Sequence, residues 1–349
     1  MAEPDVVLDP DGDLLVILHN PSETFEIYRE PPLSEPAGDE EATTVELNSD
    51  EQPKPISMHI DWIFKASSKH LSLACPRFKT MMDGPWREAT RIYDDGLRHW
   101  VLEEFDMYAM ILVLSIIHGK NNGVNVHGYQ TAIPPTVRLD ILVEIARIVD
   151  YIECHEVIRV FASNWISCLK DDIPVSYNTK LMAWICIAGV FGNDEIFQRC
   201  TRLAILKCHS GIPTLGLPIL PEISDEIHRR RERCIDEIFA SVDSLVGRLT
   251  GETSCSFECD ATYLGTIIKH MDTEFPSPRP TSPYWKLSVK RVVNTIRRLP
   301  KVKQLHKAMA PKHNCRFDEL KFTVDSLEAG IEGLDIESLK KDSAIRRVK

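Results

Sequence analysis

The sequence predicts an α+β chain in two parts, an N-terminal unit mixing strands and helices and an all-α C-terminal unit. Three observations carry this. Short apolar or alternating runs cluster before residue 105, helical periodicity dominates after it, and 349 residues with 43% hydrophobic and 27% charged content suffice for two ordinary soluble domains. The expected division is 1–170 and 171–349.

In chain order, Asp11-Gly12 is a turn signal, and DLLVIL at 13–18 reads as a buried strand. Asn20-Pro21 reads as a hairpin-like turn into a second strand around Phe25 to Tyr28. Residues 30–55 then hold eight acidic residues, five prolines and one basic residue, too little apolar area to offset the entropy of ordering them. This stretch is expected to be a flexible acidic insert, with an acidic docking segment as the functional alternative. Residues 57–88 pack several signals together. Met58, Ile60, Trp62 and Phe64 alternate as in a half-buried strand, and Leu71 and Leu73 lead into a second element. Pro76 suits a first helical position, Phe78, Met81 and Met82 share one face, and Gly84 is placed to close that helix in a left-handed conformation.

Trp100 to Leu102 reads as another strand, residues 107–118 as a helix apolar almost all round, and residues 119–135 as a polar loop. Residues 137–165 carry two amphipathic helices broken near 150–153. Further helices are expected over 181–191, 196–208 and 222–250, the last with Arg229, Arg230 and Arg231 on its exposed side.

The stretches DLLVIL, FKASSKHLSLACPRFKTMM, VLEEFDMYAMILVLSIIHG and LVEIARIVDYIECHEVIRVFASNWI, in that order, resemble the BTB (POZ) domain, particularly its divergent filamentous-fungal form. The match covers residues 11 to 168. The resemblance implies a small sheet capped by helices, used for self-association and partner recruitment and not for catalysis. Ser67 stands where BTB domains commonly carry a histidine, and Cys75 where they commonly carry a serine. WICIAGVFGNDEIFQ and FECDATYLGTIIKHM are similar to the helical region that follows BTB domains in fungal proteins.

The partners implied are proteins: a second copy through the BTB-like unit, and cullin-3 of a ubiquitin ligase. Trp86-Arg87-Glu88 resembles the hydrophobic-x-acid motif by which some BTB domains contact cullin, which makes Trp86, Glu88, Phe78 and Met82 the candidate partner-binding residues. The competing reading has Trp86 covering the sheet edge and Glu88 solvated.

Residues 286–316 hold ten Lys or Arg and no acid, among them Arg297, Arg298, Lys301 and Lys303. Such a patch can serve nuclear import, nucleic acid or an acidic partner, so a nuclear transcription-associated factor is the alternative function. A partner or intramolecular role is favoured, because no helix-turn-helix, zinc-finger or RNA-stacking motif accompanies the patch and the net charge is −11.

Cys255, Cys259 and His270 are candidate zinc ligands, with His306, His313 or Cys315 as a fourth. Structural zinc sites usually come as two tight pairs and this chain has one, so reduced cysteines at a helix start are the preferred reading and no metal or cofactor is expected. The ten cysteines are scattered along helical patterns, as in a reducing compartment. There is no phosphate loop, dinucleotide fingerprint, H-E-x-x-H or nucleophile elbow, so the chain reads as non-catalytic. No apolar run is long enough to span a membrane and the first residues are acidic, so a cytoplasmic or nuclear protein is expected.

Overall fold

A computed structural model describes residues 3–22, 61–251, 254, 256–276, 278–301 and 318–339. The acidic insert, the strand expected at Phe25 to Tyr28, Met58, Ile60, Cys255, Lys303, His306, His313 and Cys315 lie outside them. The chain divides into two compact units, Met1–Ile173 and Pro174–Lys349. The first mixes strands and helices, and the second is helical.

In the first unit, among the described residues, strands β1 (Val6–Val7), β2 (Leu14–His19), β3 (Trp62–Ala66), β4 (Arg98–Glu103), β5 (Val124–Val126) and β6 (Tyr129–Thr131) form one sheet, in the order β4-β2-β3-β1-β5-β6. β2 runs antiparallel to β3, with Val16 opposite Phe64, and parallel to β4, with Val16 opposite Trp100. β2 is buried over Leu14, Leu15, Val16 and Leu18, as its unbroken apolar run requires, whereas β3 alternates and buries Phe64 and Ala66.

Helices α1 (Ser68–Ala74), α2 (Pro76–Met82) and α3 (Arg87–Thr90) follow β3. α4 (Met107–Ile117) is buried on all sides, and Asp106 caps it by accepting from the Ala109 N–H at 2.8 Å. α5 (Leu139–Ile152) and α6 (His155–Cys168) form the expected pair, broken at Glu153, whose φ of 60° places it in the left-handed region.

Two local expectations are corrected. The loop at 119–135 contains the β5–β6 hairpin, built on three-residue strands too short to show alternation. Gly84 does not close α2 with a positive φ; the helix ends at Asp83 in a right-handed conformation. Gly84 is needed for a different reason, since a Cβ there would lie 2.6 Å from Cδ1 of Trp86.

The second unit holds α7 (Thr179–Phe191), α8 (Asp194–Lys207), α9 (Pro221–Gly251), α10 (Phe257–Glu274), α11 (Val289–Arg297) and α12 (Glu319–Ala329). α9 is its spine. Ile223, Ile227, Ile235, Ile238, Phe239, Val242 and Leu245 form the buried stripe of this 31-residue helix, and α10, α11 and α12 contribute Tyr263, Ile267, Val292, Ile296, Leu320 and Val324 to the same core. After α12 the chain crosses α8. Gly333 approaches so closely that a Cβ would meet Gln198 O at 1.9 Å, and the Leu334 N–H donates to Thr201 Oγ1 at 2.8 Å.

Candidate partner-binding surface

The segment from β3 to α3 is held by polar contacts placed under its turns. Ser67 precedes α1 but makes no side-chain cap; Asp13, at the start of β2, does that work, accepting from Ser68 N at 2.8 Å and Ser68 Oγ at 2.7 Å. Burial pushes the Asp13 carboxyl up, but those hydrogen bonds and Arg98 at 3.6 Å outweigh it and hold the group below its ordinary range. The Ser67 N–H donates to His118 Nε2 at 3.1 Å, and His118 Nδ1 donates to Leu114 O at 2.8 Å. That pairing fixes a neutral imidazole, and burial lowers its pKa. Cys75 ends α1 and starts α2, with Pro76 at the first helical position as expected. Its thiol accepts or donates a hydrogen bond with that of Cys154, and both are buried.

The four candidate partner-binding residues separate. Phe78 is wholly buried, its ring 4.8 Å from that of Trp100, so it is a core residue and not a contact; it holds α2 to the sheet. Met82 is half-buried at the end of α2. Trp86 is 60% exposed, and its indole lies over Gly84. A polar link from this turn to the edge strand comes from Ala89, whose carbonyl accepts from Arg98 Nε at 3.1 Å. Glu88 is half-buried in the first turn of α3, where the positive end of the helix favours an acid, and it forms no ion pair among the described residues. Leu73 is 89% exposed at the end of α1, whose buried position is taken by Leu71. The outcome is an exposed indole and a nearby carboxylate on a turn whose underside is fixed.

Three cations in the described part of the basic segment, residues 286–301, have acidic partners within the second unit. Arg297 pairs with Asp325 at 2.7 Å and Glu328 at 2.6 Å, Lys290 with Glu328 at 2.5 Å, and Arg298 with Glu274 at 3.1 Å. Lys301 is exposed.

The two described metal candidates, Cys259 and His270, do not converge. Cys259 and His270 both sit on α10, eleven residues apart, so their Cα atoms are separated by about 16 Å of helix axis at a rise of about 1.5 Å per residue. His270 Nε2 is 2.8 Å from Thr295 O, and among the described residues no three His, Cys, Asp or Glu side chains are grouped to hold a metal ion.

The largest departure is Arg231, expected on the exposed side of α9 and found fully buried. Its Nη1 donates to Tyr284 O at 3.1 Å and Leu287 O at 2.6 Å, and its Nη2 to Pro283 O at 2.7 Å. The charge run Arg229-Arg230-Arg231 hides this role. The signal that reveals it is spacing, because Arg231 falls four residues after Ile227 and four before Ile235, on the buried stripe.

No helix among the described residues is long and apolar enough to cross a membrane. Compared with known proteins, the chain matches no family model, no curated protein and no solved structure.

Proposed function

We propose that this chain is a non-catalytic interaction module of the BTB (POZ) type, working as an adaptor or scaffold, with cullin-3 as a partner engaged through residues 86–88. The observation that carries it is the exposed Trp86, presented with Glu88 on a turn anchored by Phe78 and by the Ala89–Arg98 bond. A large indole left in water on a fixed turn is the kind of anchor that dominates protein interfaces, since it brings much apolar area at little entropic cost. Support for the BTB-type reading comes from the chain order itself. A buried strand between a parallel and an antiparallel neighbour, a short helix pair after the second strand, and the helices α4 to α6 agree with the small sheet and helical cap that the resemblance implies.

The alternative, a nuclear factor acting through the basic segment, is less well supported because Lys290, Arg297 and Arg298 already have acidic partners. The test is a cullin-3 pull-down with wild type and Trp86→Ala. Capture by wild type with loss of about 2 kcal/mol or more on truncation, as for a buried aromatic anchor, is the expected result. No capture by wild type removes the cullin version, and undiminished capture of the variant moves the contact away from Trp86.

A further inference from the structure

Residues 331–336, which follow α12, are bound to α8 and α9 in the way a groove binds a peptide. The stretch 331–335 forms neither helix nor strand, and its contacts move down α8 as its own numbering rises, from Arg202 at Ile331 to Asp194 at Ile336. It therefore lies antiparallel to α8, over about 12 Å of that helix at a rise of about 1.5 Å per residue.

The hydrogen bonds join side chains of the helices to the main chain of the segment. Arg202 Nε donates to Ile331 O at 2.7 Å, and Arg230 Nη1 to Gly333 O at 3.0 Å. Thr201 Oγ1 accepts from the Leu334 N–H at 2.8 Å, and Asp194 Oδ1 from the Ile336 N–H at 3.2 Å. Thr201 is fully buried and its hydroxyl donates to Phe197 O at 2.7 Å, so its proton is committed within α8 and its lone pairs face the segment's amide. Arg202 Nη2 also holds Glu328 O at 3.2 Å, so the groove begins where α12 stops. Main-chain bonds of this kind give affinity, and pockets for particular side chains give specificity. Here three positions are selective. Gly333 is pressed against the backbone of α8 at Gln198, where no Cβ fits, and Leu334 and Ile336 are buried while Glu332 and Glu337 are exposed.

The segment is a minor part of the core of its unit. It buries two side chains, against seven apolar ones in the stripe of α9, and segments with few buried apolar contacts open at a smaller cost than global unfolding. Each of these contacts is made to atoms that a separate peptide also carries. The covalent link through Gly330 adds effective concentration, not contacts.

We infer that α8, with Arg230 of α9, is a docking groove for a non-helical segment of a protein partner, in which glycine is followed at once by one aliphatic residue and two positions later by another. Residues 331–336 fill the groove as an internal ligand, which the partner's segment displaces. This surface lies in the second unit and is independent of the reading of residues 86–88.

The probe is a fluorescent peptide with the sequence of residues 329–339. Full chain carrying Leu334→Asp, which cripples the internal ligand, is expected to bind it in an anisotropy titration. Wild type should bind it at least about tenfold more weakly, because its own segment competes. The peptide with Gly333→Ala, and the Leu334→Asp chain with Arg202→Gln added, should each lose about tenfold or more in affinity. Hydrogen exchange examines wild type without any substitution: the Leu334 and Ile336 amides should exchange at least about tenfold faster than those of the α9 core, and faster still with unlabelled peptide in excess. The inference is overturned if the Leu334→Asp chain keeps the wild-type circular dichroism and does not bind the probe, if the Gly333→Ala peptide binds as well as the probe, or if the Leu334 and Ile336 amides of wild type exchange only with the core. A wild-type dimer that the peptide dissociates would assign the groove to a second copy of this chain and overturn the partner reading.

Discussion

Arg231 shows how one residue can organise a stretch distant in sequence. Tyr284 and Lys286 have φ values of 52° and 62°, a region that side chains other than glycine rarely adopt. The carbonyls of Pro283, Tyr284 and Leu287 all converge on the Arg231 guanidinium, whose planar fork presents several donors at fixed angles where a lysine would present a single point charge. Arg231→Ala leaves three acceptors without that donor, at about 1–3 kcal/mol for each one left buried, so a loss of about 3 kcal/mol or more is expected in the urea unfolding of the full chain. Arg231→Lys should recover only part of it. A change below about 1 kcal/mol in the alanine variant would mean that the turn holds its own geometry. His118 supports a second prediction at this scale. Burial lowers its pKa in the folded state, while the unfolded imidazole titrates near about 6.5. The unfolded chain therefore binds more protons below that pH, so this contribution to stability is complete above about pH 7 and is lost as the pH falls through 6.5 toward the folded value. The urea midpoint of wild type should fall between about pH 7 and 5 more steeply than that of His118→Gln, and parallel profiles would remove His118 as the source.

At the scale of elements, the α2–α3 turn joins a buried helix to an exposed tryptophan, and Gly84 is the joint. Because a Cβ at 84 would lie 2.6 Å from Trp86 Cδ1, Gly84→Ala should displace the indole while leaving Phe78 and the core in place. The expected outcome is a change in tryptophan fluorescence and weaker partner capture, with stability within about 1 kcal/mol of wild type, since residue 84 adopts no positive φ. If capture is unchanged, the position of the indole does not matter. This turn also shows how far the sequence could be read. The Gly-after-helix pattern correctly announces an ending, but a left-handed cap and a close side-chain approach both favour glycine, and only the distance to Trp86 separates them. The strand β2 and the helices α4 to α9 were legible because each carries four or more buried positions, and β4 because the buried Trp100 and Leu102 alternate with exposed residues. β1, β5 and β6 have two or three residues each, fewer than one full alternation, so nothing local marks them. For the candidate surface, residue type alone put Phe78 beside Trp86, and only packing reveals that one is wholly buried and the other exposed.

For the whole molecule the question is how the cations are distributed. The chain carries 41 Lys and Arg against 52 Asp and Glu, a net charge of −11, so any nucleic-acid surface must come from a local excess of unpaired cations. The segment 286–316 supplies such an excess in sequence, but folding brings Asp325 and Glu328 of α12 against Arg297 and Lys290 of α11, and Glu274 of α10 against Arg298. The more exposed of these pairs, Arg297–Asp325 and Arg298–Glu274, contribute only about 0–1 kcal/mol each to stability. The larger effect of the set is to engage the guanidinium and ammonium groups that would otherwise neutralise phosphates and release counterions, the main source of non-specific DNA affinity. Wild type is therefore expected not to shift duplex DNA in a gel at about 0.15 M salt. The double variant Asp325→Asn/Glu328→Gln, which removes the acids and frees Arg297 and Lys290, should bind more DNA than wild type at lower salt, with a steeper salt dependence. A clear wild-type shift at physiological salt, abolished by charge reversal at Lys301 and Lys303, would overturn this expectation and return the basic segment to the nuclear reading.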